Sequence, residues 1–218
     1  FPIVCQDVVK EHVMSPKEFK SKFVNTDVVY GKGSTSSVRA IRDKDTGYVY
    51  AAKYYTRGCS CLNCAELNAE SFFIDRYWHN QLVLAGYPDI VMPLVFSIKV
   101  TYNTPAYFNI YKPGYMDLRT YIRNLKRGVS YDLVVKIIRQ LLIVLQKLKN
   151  CHVSTGDFKL DNIILASPPV HGDVTVRMCD MGNAYYTDFI QRKGAPKNYP
   201  SNCGYVATRW YRPVEVLL

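Results

Sequence analysis

The sequence predicts an α+β fold with two lobes: a small antiparallel sheet carrying one helix, then a mainly helical lobe. Two observations lead to this class. From Phe23 to Thr56 the chain is rich in Val, Tyr and Ala in strand-like runs with turn residues between them. Past Gly114, apolar residues recur at helical spacing. A chain of 218 residues is long enough to form two lobes with a cleft.

The first lobe begins with three predicted antiparallel strands between Phe23 and Thr56. Two turn-like segments separate them, at 31–37 and at 43–47, and the second is a hairpin turn by composition. A helix is predicted from about Cys64 to Leu84. Gly86 and Pro88 would end it. Two further strands are predicted, at Ile90 to Val100 and at Ala106 to Tyr111.

The second lobe is predicted to contain a long helix from about Ser130 to Asn150 with one buried face. The apolar residues that define this face are Ile137, Ile138, Leu141, Leu142, Leu145 and Leu148. The predicted organisation is an N-terminal extension over 1–22, the small lobe over 23–111, a hinge over 112–115 and the helical lobe over 116–218.

The net charge of +10 favours anionic partners, namely a nucleotide, an acidic protein surface or nucleic acid. A solvated basic surface without a dedicated partner is the alternative. Nucleic-acid binding is not expected, because no recognisable module is present. No apolar run approaches the roughly 20 residues needed to span a bilayer, so no membrane association is expected. Seven cysteines without framework spacing fit a reducing compartment, cytoplasmic or nuclear.

One cysteine cluster could bind a metal. Cys59, Cys61 and Cys64 have spacing compatible with zinc, but a zinc site needs four ligands. His79 or Cys151 could supply the fourth in space. Ordinary loop thiols are the favoured alternative.

Two polar clusters carry the strongest chemical signal. The first runs from Thr155 to Asn162 and contains Asp157 and Lys159; the second is Asp180-Met181-Gly182. Phosphoryl transfer needs a carboxylate to orient the attacking hydroxyl and an ammonium to neutralise the moving group. It also needs oxygen ligands for Mg²⁺. We assign the carboxylate role to Asp157 and the ammonium role to Lys159. Asn162 and Asp180 would supply the oxygen ligands for Mg²⁺.

A glycine-rich segment upstream matches this chemistry. Small residues between two strands let backbone N–H groups approach phosphates, although an ordinary hairpin turn has the same composition. The predicted phosphate-binding residues are Gly31, Lys32, Gly33, Ser34, Thr35, Ser36 and Val38.

Lys53 ends the run Tyr50-Ala51-Ala52-Lys53 on the third predicted strand. Its distance from the glycine segment favours contact with the α- and β-phosphates over a solvent-facing position. Such a lysine needs a carboxylate partner on the following helix. Glu66 and Glu70 are both candidates, and Glu70 is preferred because of its separation from Lys53; a solvated helix face is the alternative.

Together these residues resemble the eukaryotic protein kinase family, from about Phe23 to Leu218. The resemblance implies an ATP site that includes Ala51, with the adenine held by the Lys112 C=O and the Gly114 N–H. Tyr111 takes the gatekeeper position. Asp117 is placed to reach the ribose, and it can also cap the helix that begins at Leu118.

The first cluster departs from the family pattern, because Thr155 and Gly156 replace its His and Arg. The replaced Arg normally binds a phosphate on the activation segment, so activation by a phosphorylated loop is not implied. Met181 takes the place of the Phe in Asp-Phe-Gly, and a flexible Met can fill the gap left by the missing His.

A third segment, Tyr205 to Glu215, resembles the branch that contains the cyclin-dependent, mitogen-activated and glycogen-synthase kinases. Thr208 would then hydrogen-bond Asp157 and Lys159. Arg209 belongs to the pocket that favours Pro after the target Ser or Thr. Tyr205 occupies the place of an activating tyrosine, or is a packed aromatic.

The resemblance therefore implies a serine/threonine protein kinase that uses ATP and Mg²⁺ on a protein substrate. The alternative is a kinase-like binding module that acts through a partner. The sequence ends three residues after Glu215, so we expect either a fragment or a lobe completed in another way. Such a chain would expose an apolar face and need a regulatory or completing partner.

Overall fold

A computed structural model describes residues 8–33, 36–56, 62–125, 128–169, 173–187 and 211. The chain divides into two compact units. The first comprises Phe1–Val83 and Pro93–Pro113, and the second comprises Leu84–Met92 and Gly114–Leu218. The fold class is α+β, as predicted.

The first unit is built on a six-stranded sheet with the strand order β1-β5-β6-β4-β3-β2. The strands are β1 (Glu11–Met14), β2 (Phe23–Lys32), β3 (Ser36–Asp43), β4 (Val49–Tyr55), β5 (Leu94–Val100) and β6 (Ala106–Tyr111). β1 pairs in parallel with β5, and the other pairings are antiparallel. The three strands predicted between Phe23 and Thr56 are confirmed.

The predicted hairpin turn between β3 and β4 is confirmed. The Asp43 carboxylate accepts the backbone N–H groups of Asp45 and Thr46, each at 3.0 Å. Gly47 has a φ of +70°, which a glycine adopts without strain. These local bonds explain why the composition alone identified the turn.

One face of the sheet packs on helix α1 (Pro16–Lys22) through an aromatic-rich core. Phe19 on α1 stacks on Phe108 with ring centroids 4.8 Å apart. α1 begins with a capping box, in which Ser15 and Glu18 bond each other's backbone N–H groups. Residues 11–22 thus form a strand and a helix of this unit, although we predicted them to be part of an extension.

Helix α2 (Leu62–Leu84) is confirmed close to its predicted bounds, and its buried Phe72 contacts the rings of Tyr55 and Tyr107. The strand predicted from Ile90 begins only at Leu94. Residues 90–92 instead bond to Met178 in the second unit: the Met92 N–H donates to the Met178 C=O at 2.8 Å.

The second unit contains helices α3 (Leu118–Asn124) and α4 (Tyr131–Asn150) and several short strands. The strands are β7 (Met116–Asp117), β8 (Val153–Ser154), β9 (Ile163–Leu165), β10 (Val176–Met178) and β11 (Tyr185–Tyr186). They form a three-stranded sheet, β10-β9-β7, and a two-stranded sheet, β11-β8. A 3₁₀ turn over Leu160–Asn162 leads directly into β9.

The predicted long helix is confirmed as α4, but the prediction of which residues form its buried face was partly wrong. Its buried residues are Leu133, Ile137, Val144 and Leu148. Ile138, Leu142 and Leu145 are 50%, 60% and 41% exposed. They lie roughly 100° farther around the helix, so they do not share the buried face. Among the described helices, none combines the length and apolarity needed to cross a bilayer.

Candidate functional site

The loop from Thr155 to Asn162 is fixed at both ends by regular structure. Before it, β8 pairs with β11, and the Thr187 N–H donates to the His152 C=O at 2.8 Å. After it, the 3₁₀ turn continues into β9, which pairs with β10 in the register Ile163 to Met178. The loop therefore connects two small sheets of the same unit, so its polar side chains have a defined framework.

Within this loop the predicted catalytic residues contact one another. Lys159 Nζ lies 2.6 Å from Asp157 Oδ2. Asn162 Nδ2 donates to the Asp157 carbonyl oxygen at 2.9 Å and to Asp157 Oδ2 at 3.2 Å. Asp157 and Asn162 are both buried. The sequence prediction that these three residues form one cluster is consistent with this geometry.

The segment Asp180-Met181-Gly182 lies beside the same loop. The Cys179 N–H donates to the Asn162 carbonyl oxygen at 3.0 Å, which places Asp180 directly after a residue bonded to Asn162. Asp180 has a φ of +59°, one of two such non-glycine residues in the described part of the chain. This conformation is unfavourable for most residues and is often found at functional sites. Met181 is buried, as expected for a residue that fills a gap.

Gly156 occupies a position that only glycine fits. Its φ is +66°, and a Cβ built there would lie 2.2 Å from the Asn183 carbonyl oxygen. The backbone after Asp180-Met181-Gly182 therefore packs directly on the loop that carries Asp157. The absence of an arginine at position 156 follows from this close approach.

Lys53 has a different carboxylate partner from the one predicted. Lys53 Nζ lies 2.6 Å from Asp75 Oδ2 on α2, and both side chains are buried. Glu70 lies five residues earlier, which is about 140° around the helix, so the preference for Glu70 was wrong. Asp75 directly follows the apolar run Phe72-Phe73-Ile74, and the sequence prediction did not consider it as a partner.

The other predicted ATP-binding residues lie at defined positions within each unit. Gly31 and Lys32 end β2, and the Gly33 N–H donates to the Ser36 carbonyl oxygen at 2.8 Å across the turn. Val38 on β3 is in register with Lys53. Ser34 and Thr35 lie outside the described residues. The antiparallel pairing of β2 with β3 on either side of this segment is confirmed, and the contact of the segment with phosphate stays a prediction.

The residues near the predicted hinge are also defined. Ala51 on β4 is in register with Tyr111, the last residue of β6, and the Lys112 N–H donates to the Pro93 carbonyl oxygen at 2.9 Å. A Cβ on Gly114 would lie 2.2 Å from the Ile164 side chain, so a larger residue there would have to displace this side chain of β9. Asp117 caps α3 by accepting the Thr120 N–H at 2.8 Å, as predicted.

Several predicted residues fall outside the described part of the chain. These are Tyr205, Thr208, Arg209, Cys59 and Cys61, together with the side chain of Cys64. Their proposed roles stay predictions.

The two predicted magnesium ligands of the second unit, Asn162 and Asp180, carry side-chain oxygens of the type that could hold the Mg²⁺ of a bound nucleotide. Mg²⁺ is commonly bound by one or two protein oxygens together with phosphates and waters. Within the described part of the chain, the Asn162 side-chain amide donates two hydrogen bonds through Nδ2, which leaves Oδ1 as the atom that could meet a cation. Among the described residues there is no group of three or more His, Cys, Asp or Glu side chains suited to a metal.

Comparison with known proteins supports a kinase-like relationship. No protein-family model matches the chain. Mitogen-activated protein kinase 15 of Xenopus laevis is 25% identical over 212 residues, which cover 96% of this chain and 32% of that protein. The chain therefore spans about a third of the length of this relative. The chain is similar to a kinase, and its α+β architecture is consistent with a kinase-like fold.

Proposed function

We propose that this chain carries the phosphoryl-transfer site of a serine/threonine protein kinase that uses Mg²⁺ and ATP. The observation that carries the proposal is the cluster of Asp157, Lys159 and Asn162, with Asp180 one residue beyond the Cys179–Asn162 hydrogen bond. These are the groups that phosphoryl transfer requires. The similarity to a kinase over 96% of the chain supports the same chemistry.

Each residue has a role that follows from its contacts. Asp157 would accept the proton of the attacking hydroxyl, because its carboxylate is held by the Asn162 amide and the Lys159 ammonium. Lys159 would offset the charge of the transferred group. Asn162 Oδ1 and the Asp180 carboxylate would hold Mg²⁺, which supplies charge neutralisation at the phosphates.

Lys53 would bind the α- and β-phosphates, with Asp75 as its carboxylate partner. Arginine and lysine side chains left unpaired in a buried position are costly, so a buried lysine is normally held by a carboxylate. The Lys53–Asp75 distance of 2.6 Å meets this requirement within the first unit.

The preference for Pro after the target residue rests on Arg209 and the resemblance of the surrounding segment. A protein substrate, and a regulatory or completing protein partner, belong to the same proposal.

The second candidate function, a kinase-like binding module, is favoured by Thr155 and Gly156. The approach of Asn183 leaves no room for a phosphate-binding side chain at position 156.

Purified protein with Mg²⁺ and γ-labelled ATP distinguishes these functions. We expect label transfer to Ser-Pro and Thr-Pro peptides, weaker transfer to matched Ser-Ala and Thr-Ala peptides, and a loss of roughly a thousandfold or more in Asp157→Ala and Asp180→Ala. Asp161→Asn is the matched control, because Asp161 lies on the same loop but its carboxylate pairs with Arg119 of α3 at 3.2 Å. Nucleotide binding without transfer would support the binding module. The absence of both would overturn the proposal.

A further inference from the structure

The Lys53–Asp75 pair is one end of a continuous chain of buried hydrogen bonds. The Tyr55 hydroxyl donates to Asp75 Oδ2 at 2.5 Å, the same oxygen that Lys53 contacts. Asn109 Nδ2 donates to the Tyr55 hydroxyl at 2.8 Å, and Ser97 Oγ donates to Asn109 Oδ1 at 2.7 Å. Five side chains from four elements are therefore linked in sequence.

The burial of this chain makes each hydrogen bond consequential. Ser97 and Asn109 are fully buried, and Asp75 is only 2% exposed. A buried polar group that loses its partner costs much more free energy than one that can turn to water. Burial, and then the charge of Asp75, raises the pKa of Tyr55 well above its usual value, so its hydroxyl stays protonated and can donate. The network therefore favours a single arrangement.

The network attaches α2 to the sheet at two points. Asn109 Nδ2 also donates to the Phe72 carbonyl oxygen at 3.2 Å, three residues before Asp75 on α2. Tyr55, Asn109 and Ser97 lie on the adjacent strands β4, β6 and β5. One contact to the helix backbone and one to a side chain fix both the rotation and the axial position of α2 against this sheet.

We propose that Tyr55 and Asn109 are positioning residues that hold Asp75, and through it the Lys53 ammonium, in place before a nucleotide binds. The Lys53–Asp75 pair is then preassembled by the first unit itself, without a partner protein. The role of Lys53 toward phosphate rests on the proposed function above, whereas the attachment of α2 does not.

Hydrogen exchange of the nucleotide-free protein tests the attachment. Tyr55→Phe removes only the hydroxyl and keeps the ring, which contacts Phe72 edge-on. We expect amide exchange around Phe72 and Asp75 to accelerate about ten- to a hundredfold, the effect of losing a hydrogen bond to a charged group. Tyr107→Phe is the matched control, because that ring also contacts Phe72, at 5.2 Å. Equal exchange in Tyr55→Phe and wild type would overturn the proposal.

Nucleotide binding tests the consequence for Lys53. We expect Tyr55→Phe to weaken Mg·ATP binding about tenfold in the wild-type background and to have no effect in a Lys53→Met background. An equal loss in both backgrounds would indicate a general structural effect and overturn the positioning role. Failure of the wild-type protein to bind Mg·ATP would overturn the proposed function alone, and the exchange result would still decide this inference.

Discussion

Replacing Gly156 tests how the loop bearing Asp157 is held against the segment after Asp180. Gly156→Ala incurs two penalties. A non-glycine residue at a φ of +66° costs about 1–2 kcal/mol. A Cβ at 2.2 Å from the Asn183 carbonyl oxygen forces backbone to move, which typically costs about 1–3 kcal/mol more. The free energy of unfolding of the second unit should therefore fall by about 2–5 kcal/mol.

Thermal unfolding followed by circular dichroism, together with hydrogen exchange of the second unit, measures this loss. Gly86→Ala separates the two penalties, since Gly86 has a φ of +82° and no atom within 4 Å of an added Cβ. Gly86→Ala should incur only the penalty for a non-glycine residue at positive φ, about 1–2 kcal/mol. Gly156→Arg, which introduces the arginine of the kinase pattern, should be at least as destabilising as Gly156→Ala. If Gly156→Ala were no less stable than Gly86→Ala, the close approach of Asn183 would be refuted.

Three further changes test the first unit. Burial lowers the pKa of His79 from 6.5 to about 4, and its Nε2 accepts the Leu94 N–H. As the pH falls, His79 is protonated in the unfolded chain before it is protonated in the folded chain. The free energy of unfolding is therefore unaffected by this group above pH 6.5 and falls by roughly 3 kcal/mol as the pH drops to about 4. Urea unfolding at stepped pH should show this slope, and His79→Gln should remove most of it. Asn80→Ala loses two hydrogen bonds to the backbone of Val9, each at 2.9 Å, which should cost about 1–3 kcal/mol and expose the amides around β1 to exchange. Phe19→Ala removes the α1 ring from the aromatic core and should cost about 3–5 kcal/mol, as measured by urea unfolding.

Matched exposed changes serve as controls for these three. Val13→Ala, at a side chain 63% exposed on β1, should change stability by less than about 0.5 kcal/mol. Gln146→Ala removes an exposed hydrogen bond to Asn150 and should behave in the same way. A pH slope in His79→Gln equal to that of wild type would show that other groups cause it. An effect of Asn80→Ala no larger than that of Gln146→Ala would show that Val9 is not held by Asn80.

The elements that could be predicted from sequence are those specified by local chemistry. The β3–β4 turn is set by Asp43 and Gly47, and α4 by its Ser130 cap and its helical periodicity. β1 could not be predicted, because it is short and depends on its pairing with β5, whereas the Ser15 and Glu18 capping box of α1 is a local signal that the sequence prediction missed. The Phe19 ring contacts Phe23 nearby in the sequence and stacks on Phe108, far along the chain.

Within the candidate site, residue types could be predicted better than pairings. Asp157, Lys159 and Asn162 lie close in sequence, so their contacts follow from one loop. The partner of Lys53 depends on how α2 is rotated against the sheet, which the spacing of acidic residues did not determine. Tyr55 and Asn109 were missed because a polar residue on a buried strand face is recognisable only once its partners are known.

The central claim is that Asp157, Lys159, Asn162 and Asp180 form one phosphoryl-transfer site. A crystal structure with Mg²⁺ and a non-hydrolysable ATP analogue tests it most directly. We expect the ion to be bound by Asn162 Oδ1 and the Asp180 carboxylate, with the Asp157 carboxylate and Lys159 Nζ beside the γ-phosphate. A nucleotide bound away from these residues would contradict the account.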